Sequence, residues 1–390
     1  MRTPSRRGTV ARFLAGVVAA APLAAPLAGQ PMVGGEIESV MAEVGAVSVQ
    51  EVVDGFDHPW AIELLPDGRL LVTVRNTGHL HIVDHDGSVS DPVPGTPETF
   101  TVGQGGLMDV ALDPDFATNG WIYLTWAMPG EGGATTALGR GRWTGDAIEG
   151  FQEIFRQEPF IDGPNHFGNR IVFGPEGHLF LALGERFQFD PAQDLTNHLG
   201  TTIRLHPDGS VPEDNPFVGR SDARPEIWSY GHRNIEAAAI HPESGELWVG
   251  EMGPLGGDEL NRVEPGENYG WPVVSWGINY DSTTIPDPPT RPEFTDALET
   301  WTPVISPSGM LFYDGELFEE WQGDLLIGGL TDQSVVRLEM NGPAVTHEER
   351  LPMPARVRDL VQGPDGSLYL VTDEDNGRVL RLAPLERRSP

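Results

Sequence analysis

At 390 residues and with no cysteine, the chain is long enough to bury a large core without disulfide staples. Its 25 basic residues, all arginine, face 58 acidic ones for a formal net charge of -33, which disfavours nucleic acid and anionic membrane surfaces as partners. The absence of lysine excludes a lysine Schiff base, and pyridoxal-phosphate chemistry with it.

The first thirty residues read as a secretory signal. Arg2, Arg6, Arg7 and Arg12 precede the apolar run F-L-A-G-V-V-A-A-A-P-L-A-A-P-L-A, and no acid interrupts it. Cleavage is expected near Ala28 to Gln30, and the Arg6-Arg7 pair fits twin-arginine export. The run is short and broken by Pro22 and Pro26, so it does not read as a membrane span, and no later run is long enough to be one. The mature chain is expected to be periplasmic or secreted, with a single catalytic domain over residues 45–385.

From there one pattern recurs: an apolar pair, a tight turn and a short β-rich run. Its copies are L-L-P-D-G-R-L-L-V-T (64–73), A-L-D-P-D-F-A-T-N-G-W-I-Y-L-T (111–125) and V-F-G-P-E-G-H-L-F-L-A (172–182). Three more are A-I-H-P-E-S-G-E-L-W-V-G (239–250), the looser M-L-F-Y-D-G-E-L-F-E-E-W-Q-G-D-L-L-I-G (310–328) and V-Q-G-P-D-G-S-L-Y-L-V (361–371). Each reads as strand, turn, strand. Six hairpins predict an all-β chain folded as a single six-bladed β-propeller, one blade per copy. V-S-V-Q-E-V-V (47–53) is expected to close the ring against the last blade. The stretches 186–226 and 279–305 are expected to be long loops, where a rigid scaffold carries function.

Residue types suggest the chemistry. His79 and His81 share a strand face, with His85 beyond, and are either metal ligands or a solvated outer face. His166, in D-G-P-N-H-F-G-N-R, is either a general base or a hydrogen-bonded structural histidine. Arg233 and Asn234, in W-S-Y-G-H-R-N, stand where loop becomes strand; the arginine either polarises a carbonyl or makes a salt bridge. E-M-G-P-L-G-G-D-E-L-N-R-V-E-P-G-E-N-Y-G-W-P (251–272) bends at glycines and carries Asp258 and Glu259, an oxygen-rich stretch suited to calcium. T-D-E-D-N-G (372–377) reads as an ordinary surface turn. In A-R-V-R-D-L (355–360), Arg356 and Arg358 should share one strand face and repel each other unless an anion lies between them.

These motifs, in order, resemble the soluble periplasmic PQQ-dependent aldose sugar dehydrogenases, relatives of soluble glucose dehydrogenase. The likeness runs from about Val47 to Leu382. It rests on G-F-D-H-P-W-A (55–61), G-Q-G-G-L-M-D-V-A-L-D-P-D-F (103–116), N-H-F-G-N-R (165–170), A-Q-D-L (192–195) and D-G-S-V-P-E-D-N-P-F (208–217). It continues through E-I-W-S-Y-G-H-R-N (226–234), G-P-L-G-G-D-E-L-N (253–261), N-Y-G-W-P (268–272), W-G-I-N-Y (276–280) and R-V-R-D (356–359).

The resemblance implies oxidation of an aldose at C1 to a lactone, with hydride passing to C5 of PQQ. It implies His166 as general base, Glu185 as the acid that orients it, and Arg233 as the group polarising the C5 oxygen. It implies that Gln104, Asn234, Tyr280 and the position of Thr331 line the cofactor and sugar cleft. Arg356 and Arg358 are implied to bind the PQQ carboxylates, which suits guanidinium forks. The carbonyls of Gly253 and Pro254 are implied to hold one Ca2+; Glu259 and the Tyr269 carbonyl, a second. A periplasmic electron acceptor is implied, and a homodimer is one assembly it allows.

Two positions depart from the family. Relatives carry a lysine where this chain has Thr331, and R-N-P-Q-G where it has R-N-I-E-A (233–237), which places Glu236 near an anionic cofactor. Both changes point to weaker PQQ binding. They keep open a sugar-binding propeller that has lost or changed its cofactor. A calcium-dependent lactonase-type hydrolase on the same ring is the other alternative.

Overall fold

A computed structural model describes Met32 and residues 34–285 and 289–385. The expected signal segment, 1–30, lies outside the described residues. In the described residues the chain's regular secondary structure is almost entirely strand, with one helical turn at Phe116–Asn119 and two 3-10 turns. Its six sheets form a six-bladed propeller.

Each expected hairpin is the inner pair of strands of one blade. The innermost strands are Pro59–Leu64, Leu107–Leu112, Gly168–Phe173, Ile235–Ile240, Pro307–Phe312 and Val357–Gln362. They pack side by side in that order, and the last returns to the first. The turns are built as their residues demand. Gly68, in P-D-G, has φ +88°, a conformation that costs a Cβ-bearing residue and is free to glycine.

The second strands lie between neighbouring sheets, so they are buried on both faces. Leu70–Val74, Leu179–Leu183 and Leu368–Thr372 are buried at every position. This explains why they read as unbroken apolar runs rather than alternating ones. Between blades 1 and 2, Leu71, Leu80, Leu107 and Leu124 interdigitate at zero exposure. Each such leucine contributes about 2 kcal/mol of burial.

The ring closes as expected. Gly45–Phe56 runs antiparallel to Gly377–Pro384, with Val47 opposite Pro384 and Val53 opposite Val379. A chain end thus completes the last blade and leaves no open seam between first and last sheets. Both loop expectations need revision: 279–305 contains the short strand Glu299–Trp301, which pairs with Asp258–Val263. The stretch 186–226 is not one loop, because Thr201–Leu205 pairs with Leu179–Leu183 as the third strand of its blade. The loops that precede the innermost strands all gather at one mouth of the central channel, and the candidate site is there.

Candidate active site

His166 stands two residues before strand Gly168–Phe173. Its Nδ1 lies 2.5 Å from Glu185 Oε1, and both side chains are buried. Glu185 Oε2 also accepts the backbone N–H groups of Gln188 and Phe189, the latter at 2.8 Å. A carboxylate held on three sides fixes the imidazole tautomer: Nδ1 donates, and Nε2 is left as the acceptor. Nε2 has no hydrogen-bond partner among the described residues. Burial pulls the His166 pKa below its ordinary 6.5, and the Glu185 bond only partly offsets this. The ring is therefore neutral at neutral pH and able to accept a proton. The approach of the two strands requires glycine: a Cβ on Gly184 would stand 2.1 Å from His166 O.

Two cavities adjoin this pair. One, of about 420 Å³, sits over the channel mouth and is lined by Trp60, Arg75, Gln104, Glu236, Ser306, Leu330, Arg356, Arg358 and Asp373, among others. The other, of about 500 Å³, is walled by Phe187, Phe189, Arg233, Pro254, Trp271, Asn279, Tyr280 and Ile285. Gln104 joins the first cavity to His166, accepting the His166 N–H at 2.6 Å. Phe187 joins the second, its ring edge-on to His166 at 5.0 Å. Arg233 lines the second cavity. It donates from Nη1 to Met252 O at 2.7 Å and Gly253 O at 2.9 Å, and from Nη2 to Tyr280 Oη at 3.3 Å. Asn234 binds Glu236 Oε1 at 3.0 Å and the Gly168 N–H at 3.2 Å. Thr331 lies at the rim, its hydroxyl 2.7 Å from Ser306 Oγ.

Arg356 and Arg358 do share a face, but the protein supplies an anion of its own. Asp373 Oδ2 accepts from Arg358 Nη2 at 2.9 Å and Arg356 Nη2 at 3.2 Å, and Arg75 Nη2 lies 3.7 Å from Oδ1. Asp373 belongs to T-D-E-D-N-G, so the reading of that segment as a plain surface turn is corrected: the backbone turns at the surface while Asp373 is buried. Burial would raise its pKa, yet Arg358, Arg75 and Arg356 together hold it far below the usual carboxylate range. Glu236 pairs with Arg358 Nη1.

The residues present fit an anionic ligand. Three guanidinium groups line the cavity against two carboxylates. The buried Nε atoms of Arg75, Arg358 and the adjacent Arg233 have no partner among the described residues. An orphaned buried donor is costly, and a bound carboxylate would satisfy it.

The calcium expectations fall on two neighbouring places. Gly253 O already accepts from Arg233, so a cation there would share that oxygen. Asp258 accepts the N–H groups of Gly253 at 2.8 Å and Ser306 at 2.6 Å, which makes it a clamp on this loop; burial pushes its pKa up to about 6. Beside it lies a void of about 10 Å³, room for one water-sized sphere, lined by Glu251, Gly253, Gly257, Glu259 and Tyr269. Glu259 has its pKa pushed well above the ordinary value by burial and by the Glu251 charge. Asn261 Oδ1 nearby has no partner. Two crowded carboxylates with spare oxygen donors fit a hard cation, which would share the void with the nearby Arg233.

The three outer histidines read differently. His81 Nδ1 is tied to Ser90 O at 2.9 Å. Among the described residues no group of three or more His, Cys, Asp or Glu side chains is arranged to hold a metal. Sequence reasoning missed Arg75, Glu251 and the aromatic wall of Phe187, Phe189 and Trp271. The spacing F-Q-F just after Glu185 was a usable signal for the first two aromatics. Arg75 carried none, since it reaches the site only through the packing of blades, whereas Glu251 opens the oxygen-rich stretch and lies opposite Glu259 on the neighbouring strand.

The family described as Glucose / Sorbosone dehydrogenase matches residues 56–381. Aldose sugar dehydrogenase YliI of Escherichia coli is 42% identical over 356 residues, 89% of this chain and 95% of the relative. Quinoprotein glucose dehydrogenase B of Acinetobacter calcoaceticus is 25% identical over 83% of this chain and 84% of its own. The apo-form crystal structure of soluble aldose sugar dehydrogenase from Escherichia coli superposes with a TM-score of 0.84, covering 87% of this chain and 100% of that one. The PQQ-bound aldose sugar dehydrogenase of Streptomyces coelicolor does so at 0.72, with 27% identity and coverage of 86% and 98%.

Proposed function

The chain belongs to the Glucose / Sorbosone dehydrogenase family, and on that premise we propose that it oxidises aldose sugars at C1 to lactones, with PQQ and calcium as cofactors. PQQ, when bound, supplies an ortho-quinone that takes up the hydride leaving C1. Arg356, Arg358 and Arg75 would hold its carboxylates, and Arg233 would donate to the quinone oxygen. The Gly253 and Pro254 carbonyls would hold the nearer calcium; Glu259 and the Tyr269 carbonyl would hold the other.

His166 Nε2 takes the proton of the C1 hydroxyl as C1 becomes a carbonyl. Glu185 keeps the ring in the tautomer that leaves Nε2 free, and steadies the imidazolium that forms. Phe187, Phe189, Trp271 and Tyr280 offer apolar faces to the sugar ring and keep bulk water from the reacting carbon. The observation that carries this reading is the buried His166–Glu185 pair set beside a guanidinium-lined cavity.

Reconstitution tests it. The mature chain is stripped with chelator, and PQQ and calcium are added separately and together. Bleaching of an artificial electron acceptor is then followed with a panel of aldoses. Activity that needs both additions is expected; none at any combination would sink the reading.

A second reading has a specific observation behind it. The Glu236–Arg358 pair and Thr331 remove two favourable charge contacts from a bound trianion, which favours a sugar-binding propeller with a changed cofactor. Export remains an expectation from residues 1–30. Among the described residues no helix is long and apolar enough to cross a membrane.

A further inference from the structure

Arg186 follows Glu185 and is 1% exposed. It makes no ion pair among the described residues. Instead its fork serves three backbone carbonyls: Nε to Asn165 at 2.9 Å, Nη1 to Ala134 at 2.6 Å and Nη2 to Gly163 at 2.5 Å. Its guanidinium lies 3.6 Å over the ring of Phe167. Its own N–H donates to His166 O at 3.1 Å. Four of these contacts grip the segment 163–167, with His166 in its middle.

A guanidinium buried without a carboxylate is expensive, and burial pushes the Arg186 pKa down to about 10. The backbone around it is strained as well. His166, Arg186 and Phe187 have φ of +52°, +57° and +62°, a left-handed region that residues with a side chain seldom adopt. Strain of this kind persists only where the surroundings over-determine it, and it gathers at functional sites. Lysine could not do the same work: a compact ammonium does not span three carbonyls set around a planar fork.

We propose that Arg186 is a positioning residue for the proton acceptor: its fork fixes the 163–167 loop so that His166 Nδ1 stays on Glu185 and Nε2 stays turned to the reacting sugar. This rests on the dehydrogenase reading for its kinetic consequence, and on geometry alone for the His166–Glu185 contact.

The test uses Arg186→Gln and Arg186→Lys in the full mature chain. Reconstituted with PQQ and calcium, both variants should lose about 10-fold to 100-fold in kcat with glucose, because the base is misplaced. The KM for glucose and the affinity for PQQ should hold, since Arg186 lines neither cavity. In parallel, proton NMR of the protein without cofactor should show the His166 Nδ1 proton downfield of the amide envelope, identified by its loss in His166→Ala. In both variants that signal should move upfield or vanish. A folded variant whose signal is unmoved overturns the proposal, whatever its kcat. If Arg186→Gln does not fold, Arg186→Lys decides, since it keeps charge and length. If the wild-type chain oxidises no sugar, the activity reading fails while the NMR result still decides the positioning of His166.

Discussion

Asp373 Oδ2 lies 2.9 Å from Arg358 Nη2, joining the two ends of a strand hairpin at the channel mouth. That bond, with Arg356 and Arg75 beside it, keeps Asp373 ionised far below the ordinary 3.8. A depressed carboxylate contributes stability that is complete above the unfolded value and is lost as pH falls through the folded one. Asp373→Asn should therefore cost about 3 kcal/mol at neutral pH, by stranding buried guanidinium groups. Urea unfolding should show the gap between wild type and variant narrowing below about pH 4. A gap independent of pH would mean that the carboxylate is not the cause.

The pH dependence of turnover should follow His166. Its pKa lies below 6.5, so the base remains neutral as pH falls past that value, and kcat/KM should decline only at lower pH. His166→Ala should cut turnover by roughly 10²-fold to 10⁴-fold and leave PQQ binding in place. Retained turnover in that variant would remove His166 from the mechanism.

Glu236 draws Arg358 away from any bound anion. Glu236→Gln should tighten PQQ by about 10-fold, as one charge-assisted contact is released. Thr331→Lys, at the rim of the same cavity, should act in the same direction. Arg356→Ala should weaken PQQ by a similar factor. Absorbance titration of PQQ reads all three without any sugar present. Tightening by Arg356→Ala would place the cofactor elsewhere.

Chelation should lower the melting temperature, and calcium should restore it better than magnesium, which tolerates a flexible carbonyl-rich site poorly. The sign with pH follows Glu259. Without a cation its pKa is raised above 4.5, so its stabilising share is present below that value and lost as pH climbs through the folded one. Calcium should therefore stabilise more at about pH 8 than at about pH 5. Glu259→Gln should flatten that difference; a calcium effect unaltered by the substitution would move the ion away from this void.

What could be read from residues alone was local. Each inner hairpin announces itself within about ten residues, because strand period and turn chemistry act between near neighbours. The closing strand was legible as well, since a propeller must leave no open seam. The motif order pointed to His166, Glu185, Arg233 and the Arg356–Arg358 pair before any geometry was known. Tertiary structure decided the rest. Asp373 looked like part of a surface turn until the pairing of Val357–Gln362 with Leu368–Thr372 set it beside Arg356 and Arg358, and the neighbouring blade brought Arg75 to it. Glu236 meets Arg358 across 122 positions in the chain, a contact made only when two non-adjacent blades converge on the channel. The crowding of Glu251 against Glu259 arises between paired positions on neighbouring strands of one blade, and the grip of Arg186 on the loop of His166 closes one hairpin, so strand register within the blade sets both. A residue's type carries its charge and reach, but which charge it finds depends on how the chain closes, and in this propeller partners such as Glu236 and Arg358, or Arg75 and Asp373, come from far along the sequence.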